Sequence, residues 1–150
     1  MSASDVDQLY QAVIVDHDRA PRNHGPLATA THRATVDNPL CGDIVTLHLR
    51  IADGVIRDVS FEGRGCALSR AAASILTTML QGRDRSAARA LAADFDAFVQ
   101  APAADPAMPG LGELTAFIGV RRFRSRRACA TLPVRALVEA LDGTEASRDG

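Results

Sequence analysis

Residues 45–62 read VTLHLRIADGVIRDVSFE and contain two alternating runs joined by a short polar segment. In the first run, from Val45 to Ile51, apolar and polar residues alternate, and the run from Val55 to Glu62 is similar. A period of two is typical of strands with one buried face, and the intervening Ala-Asp-Gly suits a tight turn. The stretch therefore predicts an antiparallel β-hairpin. A preceding strand at about residues 31–36 is expected to add a third.

Helical periodicity is present on both sides of the hairpin. Apolar residues recur at spacings of three and four, which is typical of helices that bury one face. Four such segments are predicted: about Asp5–His17, Leu68–Met79, Leu91–Phe98 and Val134–Leu141.

The C-terminal half contains one long connection. Proline and glycine are frequent from Ala101 to Gly112, which predicts a loop, and a short helix is expected at 114–118. The last helix is expected to begin near Cys129, because Pro133 fits a helix only within its first turn.

These elements predict an α+β fold, with a small antiparallel sheet of about three strands packed against a group of helices. A chain of 150 residues, 47% hydrophobic, can bury one core. We expect a single domain over residues 1–141 and a disordered tail over 142–150.

Composition limits the classes of partner and the compartment. No stretch approaches the roughly 18 consecutive apolar residues of a membrane span, so a soluble, cytoplasmic protein is expected. The net charge of −1 indicates neither a nucleic-acid nor a membrane partner. In a reducing compartment, free cysteines act more often as metal ligands or reactive thiols than as disulfides.

Four side chains form the candidate site: Cys41 and Asp43, on either side of a glycine, with Cys66 and Cys129 farther along. Three thiolates and a carboxylate equal the ligand number of a closed zinc site. Spacing alone leaves another interpretation open, in which three unrelated cysteines are buried and Asp43 is a turn residue. Cys66 and Cys129 are expected at helix N-termini, whose partial positive charge favours thiolates.

Three motifs resemble those of the IscU/NifU-N family of iron–sulfur cluster assembly proteins. They are DHDRAPRNHG at 16–25, DNPLCGD at 37–43 and FEGRGC at 61–66, and the resemblance extends from Leu9 to Leu141. It implies a small α+β domain in which the three cysteines and the aspartate converge at one exposed edge.

The C-terminal half resembles the SufU-type branch of that family. The residues that indicate it are LGEL at 111–114, CATL at 129–132 and an extended segment between Gly82 and Gly119. The scaffold branch has a histidine where this chain has Ala128, and an LPPVK motif that this chain lacks. The resemblance implies a metal site formed by Cys41, Asp43, Cys66 and Cys129, without histidine.

The function implied by this resemblance is that of a zinc-dependent sulfur acceptor in iron–sulfur cluster biogenesis. Such a protein takes persulfide sulfur from a SufS-type cysteine desulfurase and passes it to downstream assembly proteins, as a sulfurtransferase-like partner rather than a stand-alone enzyme. Cys41 is the expected acceptor, and Arg126 the expected helper that engages Asp43. The alternatives are a scaffold that carries iron or a transient [2Fe–2S] cluster instead of Zn²⁺, and a structural zinc module.

Overall fold

A three-stranded antiparallel sheet lies at the centre of the structure, a computed structural model that describes residues 3–143. The predicted hairpin and the third strand are both confirmed. Asp53 and Gly54, which connect the two hairpin strands, have φ angles of 54° and 76°, as the turns that suit twisted strands require. The strands are β1 (His32–Asn38), β2 (Asp43–Ala52) and β3 (Val55–Arg64), with β2 in the middle.

The helices lie where periodicity predicts them, with longer bounds. The proline-rich loop is also confirmed, and the short helix after it is a run of 3₁₀ turns at Gly112–Arg122. The α-helices are α1 (Ala3–Arg19), α2 (Ala67–Leu80), α3 (Arg85–Gln100) and α4 (Arg124–Asp142).

The core forms between one face of the sheet and the helices. Helix α4 packs on β1 and β2, α2 packs on β3 and α4, and α3 packs on α4. Side chains alternate between the two faces of a strand, so every second residue of β2 faces the core. These residues are Val45, Leu47 and Leu49, and all three are fully buried. The predicted α+β class, a small antiparallel sheet against a group of helices, is confirmed.

The DHDRAPRNHG motif has a structural role, because it attaches α1 and the following segment to α2. The buried His17 hydrogen-bonds to Ser74 Oγ (2.7 Å) and to Glu113 Oε1 in the 3₁₀ segment (3.1 Å). The backbone N–H of Arg22 donates to the same Ser74 oxygen at 2.8 Å. Farther along, the N–H of Gly25 donates to the carbonyl of Phe61, so the motif also covers the edge of β3.

The expectation that the last helix begins near Cys129 is wrong. Helix α4 begins at Arg124, and Pro133 lies in its interior rather than in its first turn. Proline lacks the N–H that would bond the carbonyl of Cys129, four residues earlier. Both residues are buried in the face of α4 that packs on the core, and this packing holds the helix together across the missing bond.

The described part of the chain ends just after α4. Asp142 is the last helical residue, and residues 144–150 of the predicted tail lie outside the described range. None of the helices between residues 3 and 143 has the length and apolarity to cross a bilayer.

The centre of the sheet should dominate stability. We expect Leu47→Ala, which removes a fully buried side chain, to lower the free energy of unfolding by about 2–5 kcal/mol. Leu9→Ala is the matched control, since Leu9 is 53% exposed on α1, and it should change that free energy by no more than about 0.5 kcal/mol. Urea denaturation of both variants measures the difference, and equal losses would contradict this placement of the core.

Candidate metal centre

A tight turn between β1 and β2 places Cys41 and Asp43. The carbonyl of the buried Asn38 accepts hydrogen bonds from the N–H groups of Cys41 (3.2 Å) and Gly42 (2.8 Å). Its side-chain oxygen accepts from the N–H of Leu40 at 3.1 Å. Gly42 has a φ of 76°, a conformation that glycine adopts without strain. Cys41 is therefore exposed in the turn, and Asp43 is buried at the first position of β2.

Cys66 holds the carboxylate of Asp43 from the other side. It occupies the N-cap position of α2, so its backbone N–H has no partner within the helix. That N–H donates to Asp43 Oδ1 at 2.8 Å, and the Cys66 thiol donates to Oδ2 at 3.1 Å. Both oxygens of a carboxylate that is only 1% exposed are thus hydrogen-bonded.

Gly65 leaves the space that this contact needs. A Cβ atom added to Gly65 would lie 1.9 Å from Asp43 Oδ1, and its φ of 130° is one that other residues rarely adopt. The FEGRGC motif by itself assigns no separate role to Gly65. Its position directly before Cys66 is the signal that could have identified it, because close approach of a backbone to a polar group commonly requires glycine.

Cys129 reaches the same point from α4. Its Sγ atom lies 3.7 Å from Cys41 Sγ. The potential ligand atoms of Cys41, Asp43 and Cys129 all lie within 4.8 Å of one another. Cys66 is not a member of this three-residue group, but it touches Asp43 directly. The structure therefore brings together all four side chains of the predicted ligand set.

The carboxylate and the buried thiol have opposite pKa shifts. Burial by itself raises the pKa of Asp43, but hydrogen bonds from the Cys66 thiol and N–H, with smaller contributions from Cys41 and Cys129, lower it below its usual 3.8. Burial raises the pKa of the Cys129 thiol, and the neighbouring Cys66, Cys41 and Asp43 raise it further. Without a bound cation, Cys129 is therefore a thiol at neutral pH.

This protonation state corrects the expectation for Cys129. The residue lies in the second turn of α4, beyond the first turn in which the helix dipole favours a thiolate. Desolvation and the neighbouring acidic groups determine the direction of the Cys129 pKa shift instead. For Cys66, the predicted position at a helix N-terminus is confirmed.

The chemistry of the four side chains suits a thiophilic divalent cation. Three sulfur atoms and one carboxylate form a ligand set that tetrahedral Zn²⁺ accepts, since zinc binds cysteine and aspartate in fourfold coordination. A cation would also offset the charge that these groups carry when the thiols ionise. The donor set thus fits the predicted zinc ion.

Arg126 lies apart from the four donors. It is exposed in the first turn of α4 and lines a groove of about 690 Å³ with Tyr10, Leu68 and Phe123. The oxygens of Asp43 accept from Cys66, and no ion pair or hydrogen bond within residues 7–143 joins Arg126 to that carboxylate. The structure does not bring Arg126 into the site.

Several proteins with similar sequences or structures are named for iron–sulfur cluster assembly. Residues 9–130 match the family described as the NifU-like N terminal domain. The chain is 37% identical over 141 residues to the iron-sulfur cluster assembly scaffold protein IscU of Streptococcus pyogenes serotype M1, covering 94% of this chain and 87% of that protein. It is 36% identical over 134 residues to the zinc-dependent sulfurtransferase SufU of Bacillus subtilis (strain 168), covering 89% and 90%.

A solved structure shares the fold as well. It is the putative iron-sulfur cluster assembly scaffold protein for the SUF system from thermophilic Fervidobacterium islandicum AW-1, with a TM-score of 0.80 and 27% identity. The match covers 89% of this chain and 97% of that one. The resemblance that the sequence motifs indicate is confirmed.

Two glycines with the same φ angle allow the contact at Gly65 to be tested. Gly65→Ala should weaken metal retention, because the new Cβ must displace the Asp43 carboxylate. Gly25→Ala is the control, since Gly25 also has a φ of 130° but has no atom within 4 Å of an added Cβ. Both variants place a side chain at the same φ angle, so both incur backbone strain. A lower zinc affinity of Gly65→Ala than of Gly25→Ala, measured by chelator competition, therefore reports the displaced carboxylate. Equal affinities in the two variants would contradict this role of Gly65.

Proposed function

Because the chain belongs to the family of the NifU-like N-terminal domain, we propose that it is a zinc-dependent sulfur acceptor in iron–sulfur cluster assembly. It takes persulfide sulfur from a SufS-type cysteine desulfurase and passes it to downstream assembly proteins. The observation that carries the proposal is the convergence of Cys41, Asp43 and Cys129 within 4.8 Å, with Cys66 against Asp43. The B. subtilis relative, a zinc-dependent sulfurtransferase, supports it.

The proposed zinc ligands are Cys41, Asp43, Cys66 and Cys129. When bound, Zn²⁺ favours the thiolate forms of its cysteine ligands and does not itself exchange electrons with them. Of the four side chains, Asp43 and Cys129 are buried and Cys66 is half-buried, whereas Cys41 is exposed. A partner protein can therefore reach Cys41 first.

Cys41 is the proposed acceptor because its position combines access with freedom to move. The added Cβ of the adjacent Gly42 would meet no atom within 4 Å, so the turn stands open to solvent. In the transfer step, the Cys41 thiolate attacks the terminal sulfur of the desulfurase persulfide. A sulfur–sulfur bond forms on Cys41, the bond within the enzyme persulfide breaks, and the desulfurase thiolate leaves.

Arg126 remains the proposed helper, and this role requires its side chain to move. The guanidinium is exposed and sits one helical turn before Cys129. Engagement of Asp43 by Arg126 during transfer would stabilise a carboxylate that has left the metal. The hydrogen bonds from Cys66 to Asp43 would have to rearrange for this contact to form.

The second candidate function is a scaffold for a [2Fe–2S] cluster, for which cysteine thiolates are also ligands. The S. pyogenes relative and the Fervidobacterium structure are both named as scaffold proteins, which favours this alternative. Ala128 favours the acceptor, because the scaffold branch has a histidine at this position. The segment between Gly82 and Gly119, which contains α3 and the proline-rich loop, agrees with the SufU-type branch.

Removal of the Cys41 thiol should abolish the proposed activity. We expect Cys41→Ala to eliminate the stimulation of a SufS-type desulfurase, measured as alanine and sulfide production from cysteine. Cys41 is exposed, so urea denaturation should show an intact fold. Thr29→Ala, in an exposed loop, should stimulate like the wild type. Undiminished stimulation by Cys41→Ala would rule out Cys41 as the acceptor.

Metal analysis should distinguish the acceptor from the scaffold. The purified protein is expected to be colourless with about one zinc per chain, as a four-ligand site requires. Asp43→Ala should lower the zinc affinity, because it removes one ligand and leaves the backbone N–H of Cys66 without its hydrogen-bond acceptor. A stable brown cluster after iron and sulfide reconstitution, in place of zinc, would favour the scaffold.

A further inference from the structure

We propose that Cys129 removes the sulfur carried by Cys41 whenever no metal holds the two residues, closing a Cys41–Cys129 disulfide and releasing hydrogen sulfide. This inference rests on the proposed sulfur-acceptor function. Its structural basis is the distance of 3.7 Å between the two Sγ atoms, which places them in van der Waals contact.

The contacts of the three cysteines select this pair. Cys66 Sγ is directed towards the carboxylate of Asp43 at 3.1 Å and the hydroxyl of Ser69 at 3.8 Å. Cys129 Sγ contacts Cys41 Sγ and the carbonyl of Ser125 at 3.6 Å. Cys129 is therefore the thiol positioned to attack a persulfide on Cys41.

The turn that carries Cys41 can supply the remaining movement. A disulfide requires a separation of about 2.05 Å between its sulfur atoms. Cys41 Sγ and Cys129 Sγ are 3.7 Å apart, so they must move closer together for the bond to form. Cys129 is buried within a helix, whereas Cys41 is exposed in a turn beside a glycine with open space around it. Cys41 is thus the residue that moves.

The reaction balances without an added oxidant. The Cys129 thiol gives its proton to the departing sulfur as its own sulfur attacks Cys41 Sγ, so that a bond forms between these two atoms and the bond from Cys41 Sγ to the sulfane sulfur breaks. The sulfane sulfur leaves as hydrogen sulfide with the proton of the Cys129 thiol and the proton of the persulfide. The two cysteine sulfurs are oxidised to the disulfide, and the sulfane sulfur is reduced to sulfide.

Metal ligation and this reaction exclude each other, because both use the sulfur of Cys129. With Cys129 held as a ligand, its sulfur is not available to attack, and the sulfur on Cys41 is retained for a downstream protein. Cys41 Sγ and Cys129 Sγ lie 3.7 Å apart, and once no metal holds them a contact of this kind corresponds to an effective concentration on the order of 10⁵ M or more. A second role of the proposed zinc site is therefore to preserve the transferred sulfur.

The sequence permits a direct test by mass spectrometry. Trypsin cleaves after arginine and separates the three cysteines into peptides 34–50, 65–70 and 128–135, which carry Cys41, Cys66 and Cys129 respectively. Chelator-treated protein is loaded anaerobically with sodium tetrasulfide, desalted, and sampled over time into N-ethylmaleimide before digestion. Because no desulfurase is used, the outcome is independent of whether the protein accepts sulfur from one.

The wild-type protein should form a cross-link between peptides 34–50 and 128–135, with about one hydrogen sulfide released for each disulfide. In Cys129→Ser, peptide 34–50 should keep its additional sulfur atom roughly tenfold longer or more, since the neighbouring thiol is absent. Cys129→Ala provides a second variant if the serine form does not fold. Thr29→Ala, in an exposed loop away from the thiols, is the control and should behave like the wild type, and zinc-loaded wild type should not form the cross-link.

Equal lifetimes of the additional sulfur in the wild type and in both Cys129 variants would overturn the proposal. A cross-link between peptides 34–50 and 65–70 would assign the reaction to Cys66 instead, and absence of both sulfur addition and cross-link in the wild type would also contradict it. Failure of the desulfurase assay together with formation of the predicted cross-link would refute the sulfur-acceptor function and leave the thiol pair established.

Discussion

The paired hydrogen bonds from Cys66 to Asp43 are the interaction on which the candidate site depends. They join the first residue of β2 to the N-cap of α2, two elements that the chain separates by the whole hairpin. A buried carboxylate is costly unless its oxygens are satisfied, and here the N–H and thiol of one residue satisfy both. The missing side chain of Gly65 gives Asp43 the space to sit there. The contact therefore sets the position of the carboxylate and of one thiol together.

A gradient of exposure runs across the site. Asp43 and Cys129 are buried, Cys66 is half-buried and Cys41 is exposed. Burial has a clear electrostatic consequence, because it raises the pKa of the Cys129 thiol and leaves that group dependent on a cation for ionisation. A site with one accessible and several protected donors can retain a metal ion through the protected ones while the accessible one reacts. This arrangement is what a sulfur acceptor needs and what a purely structural zinc site does not.

The relatives of this chain include both a scaffold protein and a zinc-dependent sulfurtransferase at nearly the same identity. The two functions use the same ligand types, since thiolates bind both zinc and iron–sulfur clusters. The fold cannot distinguish them, because function depends on individual residues at a site rather than on the architecture. In the proposed assignment, Ala128 next to Cys129 is one such residue. The metal content of the purified protein therefore carries more information about function than overall similarity does.

The amino-acid sequence by itself determined most of the secondary structure and the α+β class, and its motifs singled out the four candidate donors. Strand alternation and helical periodicity are local patterns, and the motifs around Cys41 and Cys66 are contiguous in the chain, so both can be read without coordinates. Only the tertiary structure decided that Pro133 lies inside α4, because core packing compensates a local penalty that sequence rules treat as a helix boundary. It also decided that Cys129 is a buried thiol in contact with Cys41 and that Arg126 lies outside the site. Desolvation and contact distance depend on which distant segments pack together, and no local pattern records them.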